Sequence, residues 1–181
     1  MLRLFAGIAL PPELKLRLSH LASGVPGARW VDPGNYHVTL RFIGDVDEGT
    51  ASDIDAALAR LRATRFTLTL AGVGAFGSHS LYAGVAPEPV LMNLQAKIEQ
   101  ALIRLGLAPE GRKYSPHVTL ARLKGRPKAK LAAYLAQHAL FHAPPFDVTQ
   151  FTLVASYLTK SGSIYEDQAE YALGGAAGLK R

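Results

Sequence analysis

The amino-acid sequence predicts an α+β fold made of two pseudo-symmetric lobes, with mainly antiparallel sheets flanked by helices and a candidate active site in the groove between the lobes. Three observations support this prediction. Apolar residues recur at helical spacing in four stretches, and segments rich in β-branched and aromatic residues lie between these stretches. One tetrapeptide occurs twice, 80 residues (117 − 37) apart. Such a mixture of helices and strands indicates an α+β class.

Four stretches carry apolar residues at the i, i+4, i+7 spacing of an amphipathic helix. They are Leu14 to Leu21, Ile54 to Leu61, Leu91 to Leu105, and a stretch from Pro127 past Leu131 and Leu135. Pro11 and Pro12 suit the start of the first helix, because the first turn needs no backbone N–H at those positions. Gly106 suits the end of the third helix, because a C-cap favours the left-handed conformation. We interpret all four apolar stripes as core-facing.

Seven segments between the helices are predicted to be strands. They span residues 3–10, 36–43, 66–73, 81–85, 117–123, 146–157 and 164–173. The sequence Lys-Ser-Gly-Ser at residues 160–163 predicts a hairpin between the last two segments. Residues 71–80 are glycine-rich and are predicted to form a connection. The low-complexity tail at about residues 174–181 is predicted to fray.

Length and composition predict one globular unit. The chain has 181 residues, of which 49% are hydrophobic and 19% are charged. This is enough apolar material for a core, but the chain is too short for two full-sized domains, so we take residues 1–181 as one bilobal domain. Cysteine is absent, which excludes disulfides and thiolate nucleophiles. No segment reaches the roughly 20 apolar residues of a membrane-spanning helix, so we expect a cytoplasmic protein without a membrane partner.

The formal net charge is +6, and the basic residues are unevenly placed. No acidic residue lies between Glu110 and Asp147, whereas seven basic residues do. These seven are Arg112, Lys113, Arg122, Lys124, Arg126, Lys128 and Lys130. Such a stretch attracts a polyanion through electrostatic steering and counterion release. A solvated basic surface is the alternative interpretation.

The repeated tetrapeptide is His-Val-Thr-Leu, at residues 37–40 and 117–120. The spacing is about half the chain, which indicates two related lobes that each supply one copy. Residues two apart in a strand share a face. His37 and Thr39 therefore point the same way, as do His117 and Thr119. If the two strands border a shared groove, two imidazoles and two hydroxyls converge there.

These four side chains form a complete set for phosphodiester cleavage. One imidazole, with a pKa near its ordinary value of about 6.5, can accept a proton from water while the other donates one to the leaving oxygen. The hydroxyls can donate hydrogen bonds to the phosphate oxygens as charge builds there. Two alternatives stay open: each histidine is a structural residue, or the pair binds zinc. The zinc alternative lacks a third ligand at recognisable spacing.

Four segments of the chain resemble a known superfamily. They are residues 3–11, with an opening strand and helix start; residues 30–46 and 116–122, with the two motifs; and residues 156–165, with a closing hairpin that contains Ser156, Tyr157, Leu158, Gly162 and Tyr165. Over nearly its whole length the chain is similar to the 2H phosphoesterase superfamily. It is most similar to the RNA 2′,3′-cyclic phosphodiesterase branch, which is also described as 2′-5′ RNA ligase-like.

The resemblance implies that His37 and His117 are catalytic and that Thr39 and Thr119 donate hydrogen bonds to the phosphate. It also implies that Arg122 is a phosphate-binding cation. Strict alternation from His117 would place Arg122 on the opposite face of the strand, so this assignment requires a bulge, a strand end or a side chain that reaches round.

Four further residues are candidates for contacting the phosphate or a base. Arg41 has the same parity as His37 and is the reserve phosphate-binding residue, with an exposed structural arginine as the alternative. Phe5, Tyr114 and Tyr157 are candidates for stacking a base, although aromatic residues in strands are usually part of the core.

The resemblance further implies hydrolysis of an RNA 2′,3′-cyclic phosphate end to a 2′-phosphate, with no metal and no cofactor. The 3′ oxygen is then the leaving group, and in-line attack requires base and acid on opposite sides of the phosphorus. We assign His117 as the base and His37 as the acid, in a monomeric enzyme. Three alternatives stay open: 2′-5′ RNA ligation in the same site, a small cyclic-phosphate nucleotide as the substrate, or a non-catalytic RNA-binding module.

Overall fold

The computed structural model describes residues 1–125 and 128–174. The helices in these ranges are α1 (Pro12–Ser19), α2 (Glu48–Ala59), α3 (Pro89–Arg104) and α4 (Lys128–Gln137). The strands in these ranges are β1 (Leu2–Ala9), β2 (Ala28–Trp30), β3 (His37–Val46), β4 (Phe66–Leu68), β5 (Leu70–Phe76), β6 (Ser80–Val85), β7 (His117–Leu123), β8 (Phe146–Val148), β9 (Gln150–Thr159) and β10 (Gly162–Ala172). The predicted α+β class is confirmed.

Eight strands form one antiparallel sheet with the order β10-β9-β1-β3-β7-β6-β5, and β2 pairs with the end of β7. Strands β4 and β8 form a separate antiparallel pair. The two halves of the large sheet meet between β3 and β7, where a single residue pair, Val38 and Val118, joins them. Because this antiparallel pair joins the same position of the two tetrapeptides, a local twofold axis relates the two motif strands. The predicted arrangement of two pseudo-symmetric lobes is confirmed.

Helices α1, α2 and α3 form where the sequence predicts them, and each buries leucine or isoleucine residues of its apolar stripe in the core. Leu14 and Leu18 of α1 are buried, and α3 buries a longer stripe that ends in Leu102. Burial of each such side chain contributes about 1.5–3 kcal/mol. The Asp47 side chain caps α2 by accepting a 2.8 Å hydrogen bond from the backbone N–H of Thr50.

Gly106 follows α3 with a positive φ of 92°, as the predicted C-cap requires. Helix α4 confirms the predicted fourth helix from residue 128 onward, whereas Pro127 lies outside the described residues, as do residues 175–181 of the predicted tail. No helix in the described ranges has both the length and the hydropathy needed to cross a membrane.

Three strand predictions are corrected by the structure. Residues 71–80 are not a connection: most of them belong to β5, and only a tight turn at residues 77–79 separates β5 from β6. Glycine is tolerated in β5 because the Tyr82 ring on β6 lies directly over Gly74, where a Cβ atom would collide with it. The predicted strands at 66–73 and 146–157 each split in two. At Thr69 and Thr149 the chain leaves the β4-β8 pair and enters the large sheet.

Candidate active site

Both motif strands carry an extra residue at the same place, and β3 carries a second one at Ile43. In the β1-β3 ladder the register shifts at Leu40, and in the β6-β7 ladder it shifts at Leu120. Leu40 and Leu120 are buried, and so are the residues that follow them, Arg41 and Ala121. Such β-bulges break the alternation of faces. After each bulge, the side chain that returns to the face of the histidine is the one five residues beyond it.

In β7 that residue is Arg122, which is exposed on the same side as His117 and Thr119. The bulge that the Arg122 assignment required is therefore present. In β3 the equivalent residue is Phe42, which is 45% exposed.

The reserve assignment of Arg41 is wrong, because the bulge turns its side chain into the interior. Arg41 is 8% exposed, forms an ion pair with Glu99, and donates a 2.7 Å hydrogen bond to the carbonyl of Ala108. Arg41 therefore fixes α3 and the segment that follows it against β3, away from the histidines.

His37 is held by two hydrogen bonds that define its tautomer. Its Nδ1 lies 2.7 Å from the carbonyl oxygen of Asn35, so this nitrogen carries a proton, and its Nε2 lies 2.9 Å from the Thr39 hydroxyl. The ring stacks on Phe5 at 4.7 Å and meets the edge of Tyr165 at 5.4 Å.

The surroundings of His37 favour its neutral form. Burial is the largest influence and lowers the pKa of His37, and the nearby charges of His117 and Lys15 lower it further. The Asn35 hydrogen bond opposes this shift in part. Neutral His37 therefore presents a free Nε2 lone pair to the Thr39 hydroxyl.

His117 repeats part of this arrangement. Its Nδ1 lies 2.7 Å from the carbonyl oxygen of Ser115, two residues earlier in the chain, as Asn35 is for His37. Its ring is flanked by Phe76 at 4.8 Å and Tyr82 at 5.4 Å. The two histidines thus share a tautomer with Nδ1 protonated, which leaves Nε2 as the acceptor nitrogen of each neutral ring.

A cavity of about 730 Å³ opens beside His37. It brings together four of the five predicted site residues: His37, Thr39, Thr119 and Arg122. His117 does not line this cavity. It lies across the Val38–Val118 pair, close enough for its charge to affect the pKa of His37.

Of the three predicted base-stacking residues, Phe5 lines the cavity, whereas Tyr114 and Tyr157 do not. Tyr114 instead donates a 2.8 Å hydrogen bond to the backbone carbonyl of Thr39, which anchors the first motif strand to the segment that leads into the second. Burial raises the pKa of the Tyr114 hydroxyl, so it stays a donor.

Sequence reasoning missed several residues of the cavity wall. Phe42 and Arg29 are two of them. The signal for Phe42 was available, because it follows His37 by five residues, as Arg122 follows His117. Arg29 lies on the three-residue strand β2, which carries no periodic pattern.

The residues of the basic stretch lie in different elements of the fold. Arg122 lies in the cavity, whereas Lys113 precedes β7 and Lys124 follows it. Arg126 lies outside the described residues. Within residues 1–125 and 128–174, no three His, Asp or Glu side chains are grouped as metal ligands would be.

An antiparallel α+β fold of two lobes, with a duplicated His-x-Thr-x strand motif beside a shared cavity, defines a 2H phosphoesterase. The family model described as "LigT like Phosphoesterase" matches the chain twice, over residues 8–87 and 85–165. The chain belongs to this LigT-like phosphoesterase family, and each of the two matches contains one copy of the His-Val-Thr-Leu tetrapeptide.

Two relatives that match most of this chain share one name, RNA 2′,3′-cyclic phosphodiesterase. The RNA 2′,3′-cyclic phosphodiesterase of Aeropyrum pernix is 36% identical over 158 residues, covering 84% of this chain and 89% of the relative. The RNA 2′,3′-cyclic phosphodiesterase of Escherichia coli is 30% identical and covers 94% of this chain and 96% of the relative. The crystal structure of E. coli LigT complexed with 3′-AMP has a TM-score of 0.80 and 28% identity, with 95% and 98% of the two chains covered.

Proposed function

We propose that this protein is an RNA 2′,3′-cyclic phosphodiesterase that hydrolyses the cyclic phosphate to a 2′-phosphate. The observation that carries this proposal is the pair of histidines related by a local twofold axis, each with Nδ1 tied to a backbone carbonyl. Such a pair can place one free Nε2 on each side of a phosphorus atom, as in-line displacement requires. The names of the relatives support the choice of substrate.

We assign His117 as the base and His37 as the acid. The oxygens of the ribose stay on the nucleoside side of the phosphorus, and the cavity that could hold a nucleoside is lined by His37 but not by His117. His117 Nε2 accepts a proton from the attacking water as the new P–O bond forms. His37 Nε2 gives its proton to the 3′ oxygen as the P–O3′ bond breaks.

His37 must be protonated to act as the acid, and the bound substrate can promote this protonation. The cyclic phosphate is an anion, and a negative charge beside an imidazole raises its pKa, opposing the lowering caused by burial. An acid whose intrinsic pKa is low also gives up its proton readily.

Protonation of His37 also changes the role of Thr39. When His37 is neutral, the Thr39 hydroxyl donates to its Nε2 over 2.9 Å. Once Nε2 carries a proton, the hydroxyl accepts from it, and the hydroxyl proton becomes free to bind a phosphate oxygen. Thr119 and Arg122 bind the remaining non-bridging oxygens, where charge builds in the transition state.

Both histidines come from one chain, so the site needs no second subunit. We propose a monomer in which the two lobes act as one domain, working in the cytoplasm on RNA ends without a metal or a cofactor. A small cyclic-phosphate nucleotide would use the same reacting groups.

A product assay tests the proposed function. An RNA oligonucleotide that ends in a 2′,3′-cyclic phosphate is incubated with catalytic amounts of protein, and the product is identified by mass and by ³¹P NMR. We expect multiple turnovers, the addition of one water molecule, and phosphate on the 2′ oxygen alone. Stoichiometric binding without turnover would contradict the proposal and favour a binding module, and a 3′-phosphate product would overturn the assignment of the leaving group.

A further inference from the structure

Two arginines face each other in the wall of the cavity. In the β2-β7 ladder Arg29 lies directly opposite Arg122, and both line the cavity. Side chains at directly opposite positions of an antiparallel pair lie on the same face, with Cβ atoms about 5 Å apart, and like charges there are destabilising. The pair therefore costs stability unless anions bind beside it.

Neither arginine is neutralised within the described part of the chain. The ion pairs found there involve Arg41 and Arg112 instead. Asp32 is the acidic residue in the cavity wall, and its carboxylate accepts a hydrogen bond from the backbone N–H of Gly34 at 2.8 Å. Arg29 itself donates to the backbone carbonyl of Lys160 at 3.3 Å, a long contact that leaves most of its donors free.

Arg29 is not needed to hold the β9-β10 hairpin in place. The Asn35 side chain donates a 2.8 Å hydrogen bond to the carbonyl of Ser163 in the same hairpin. Arg29 therefore reaches across the cavity toward the turn at Lys160, with its positive charge uncompensated. A single cyclic phosphate carries one negative charge, and Arg122 with the two motif threonines already provides for it.

The rim of the cavity also exposes apolar side chains beyond what one phosphate would use. Phe42, Leu158 and Ile164 line the cavity and are 45%, 71% and 58% exposed. Exposed apolar groups around a polar cavity are typical of a ligand-binding surface, and a nucleobase has a flat face that such groups can contact.

We propose that Arg29 binds the phosphodiester on the 5′ side of the terminal nucleotide, while the apolar rim contacts the base beyond it. This inference rests on the proposed function and narrows its substrate to RNA of at least two nucleotides. Arg122 and Arg29 then serve two successive phosphates, the reacting one and its neighbour. A mononucleotide cyclic phosphate lacks the second phosphodiester and leaves Arg29 unused.

The test compares a dinucleotide and a mononucleotide that both end in a 2′,3′-cyclic phosphate. Arg29→Gln removes the charge and keeps an amide that can donate to the Lys160 carbonyl. Because a hydrogen bond to a charged group is lost, we expect the ratio of kcat/KM for the dinucleotide to that for the mononucleotide to fall about tenfold. Arg60→Gln, the same change at an exposed residue after α2, is the matched control and should leave the ratio as it is in the wild type.

The complementary test removes the negative charge from the substrate. A dinucleotide with a neutral methylphosphonate linkage serves for this. We expect the wild type to lose its dinucleotide preference by the same factor, and Arg29→Gln to show no further loss. An unchanged ratio in Arg29→Gln would overturn the proposal. So would an equal loss on both substrates, which would mean that Arg29 acts on the reacting phosphate or on the fold.

Equilibrium binding of a dinucleotide 2′-phosphate separates this inference from the proposed function. It needs no turnover, so it tests Arg29 even if the cyclic phosphate is not hydrolysed. Each phosphate contact on a single strand contributes about −0.7 to the slope of log K against log salt. Arg29→Gln should make that slope shallower by about this amount. An unchanged affinity and slope would contradict the second phosphate site whatever the outcome of the activity assay.

Discussion

The two motif strands share their chemistry and differ in what surrounds it. In both lobes a histidine points its Nδ1 at the carbonyl two residues earlier, and in both a bulged leucine follows the threonine. Five residues beyond the histidine, however, the first lobe places Phe42 and the second places Arg122. Only His37 is linked to the threonine of its own motif within hydrogen-bond distance, and only His37 lines the cavity.

Because of this difference, a duplicated unit can serve an asymmetric reaction. The twofold axis supplies two equivalent imidazoles for two proton transfers, which in-line displacement needs on opposite sides of phosphorus. The positions after the bulge break the symmetry, with a cation in one lobe and an aromatic ring in the other. In the proposed mechanism the lobes share the acid–base chemistry and divide the contacts to phosphate and nucleoside.

Removal of either imidazole should give the largest effect. We expect His37→Ala and His117→Ala each to lower kcat/KM by about a hundredfold or more, because each removes one proton transfer. Steady-state kinetics on the cyclic-phosphate oligonucleotide measure this, with circular dichroism to establish folding. His138→Ala, at a histidine that does not line the cavity, is the control. A folded variant of either motif with a near-normal rate would remove that histidine from the mechanism.

The two positions after the bulges should respond unequally. Arg122→Gln removes a charged donor to the phosphate, so we expect kcat/KM to fall about a hundredfold. Phe42→Ala removes only apolar contact, and we expect a loss of less than about tenfold, mainly in KM. The two variants are matched because the residues are equivalent under the twofold axis. Similar losses in both would contradict the division of roles between the lobes.

The placement of His37, Thr39, His117 and Thr119 could be predicted because the repeat put them in strands of known period, whereas their roles in the reaction stay a prediction. The prediction for Arg41 was wrong, because a β-bulge within a run of buried residues cannot be detected from the alternation of the residues before it. The same bulge made the assignment of Arg122 possible. A comparison of the two copies beyond the tetrapeptide would have shown Phe42 as the counterpart of Arg122.

Other elements could not be predicted from the local sequence pattern. Strand β2 has three residues and forms because β7 offers an unpaired edge beside it, so the contribution of Arg29 depends on tertiary pairing. Residues 71–80 looked like a loop because of their glycines, but Gly74 is required by the Tyr82 ring. In both instances a contact distant in sequence overrides the local signal.

The titration of His37 should be sensitive to the phosphate. Burial lowers the pKa of His37, so NMR of the ring protons should give a value below about 6.5 in the free protein. Bound inorganic phosphate should raise that pKa by about one unit or more, because an adjacent anion favours the imidazolium. A free-protein value above the ordinary one, or a fall on phosphate binding, would contradict the proposed role of the buried acid.

The lowered pKa of His37 also determines how the free energy of unfolding depends on pH. In the unfolded chain His37 binds protons more readily than in the folded one, so the free energy of unfolding should decrease as pH falls from about 6.5 through the lowered pKa. His37→Gln should lose less stability over that window than the wild type does in urea unfolding. A steeper loss in the variant would mean that protonated His37 stabilises the fold.

Removal of metal should have the smallest effect. A metal bridging the two histidines would give both the same role and erase the difference between the lobes. We expect turnover to survive dialysis against excess chelator. Loss of activity on dialysis, with recovery on addition of zinc, would favour the two-histidine metal site instead.

The most direct test of the divided roles uses a substrate whose leaving group needs no acid. In a cyclic phosphorothiolate with sulfur at the bridging 3′ position, the P–S bond breaks to give a thiolate, and the released thiol is measured with a thiol reagent. The protein contains no cysteine, so it adds no background to this assay. We predict that the sulfur substrate restores most of the activity of His37→Ala and leaves His117→Ala impaired, because only the base is still needed. Rescue of His117→Ala, or equal behaviour of the two variants, would contradict the assignment of acid to the first lobe and base to the second.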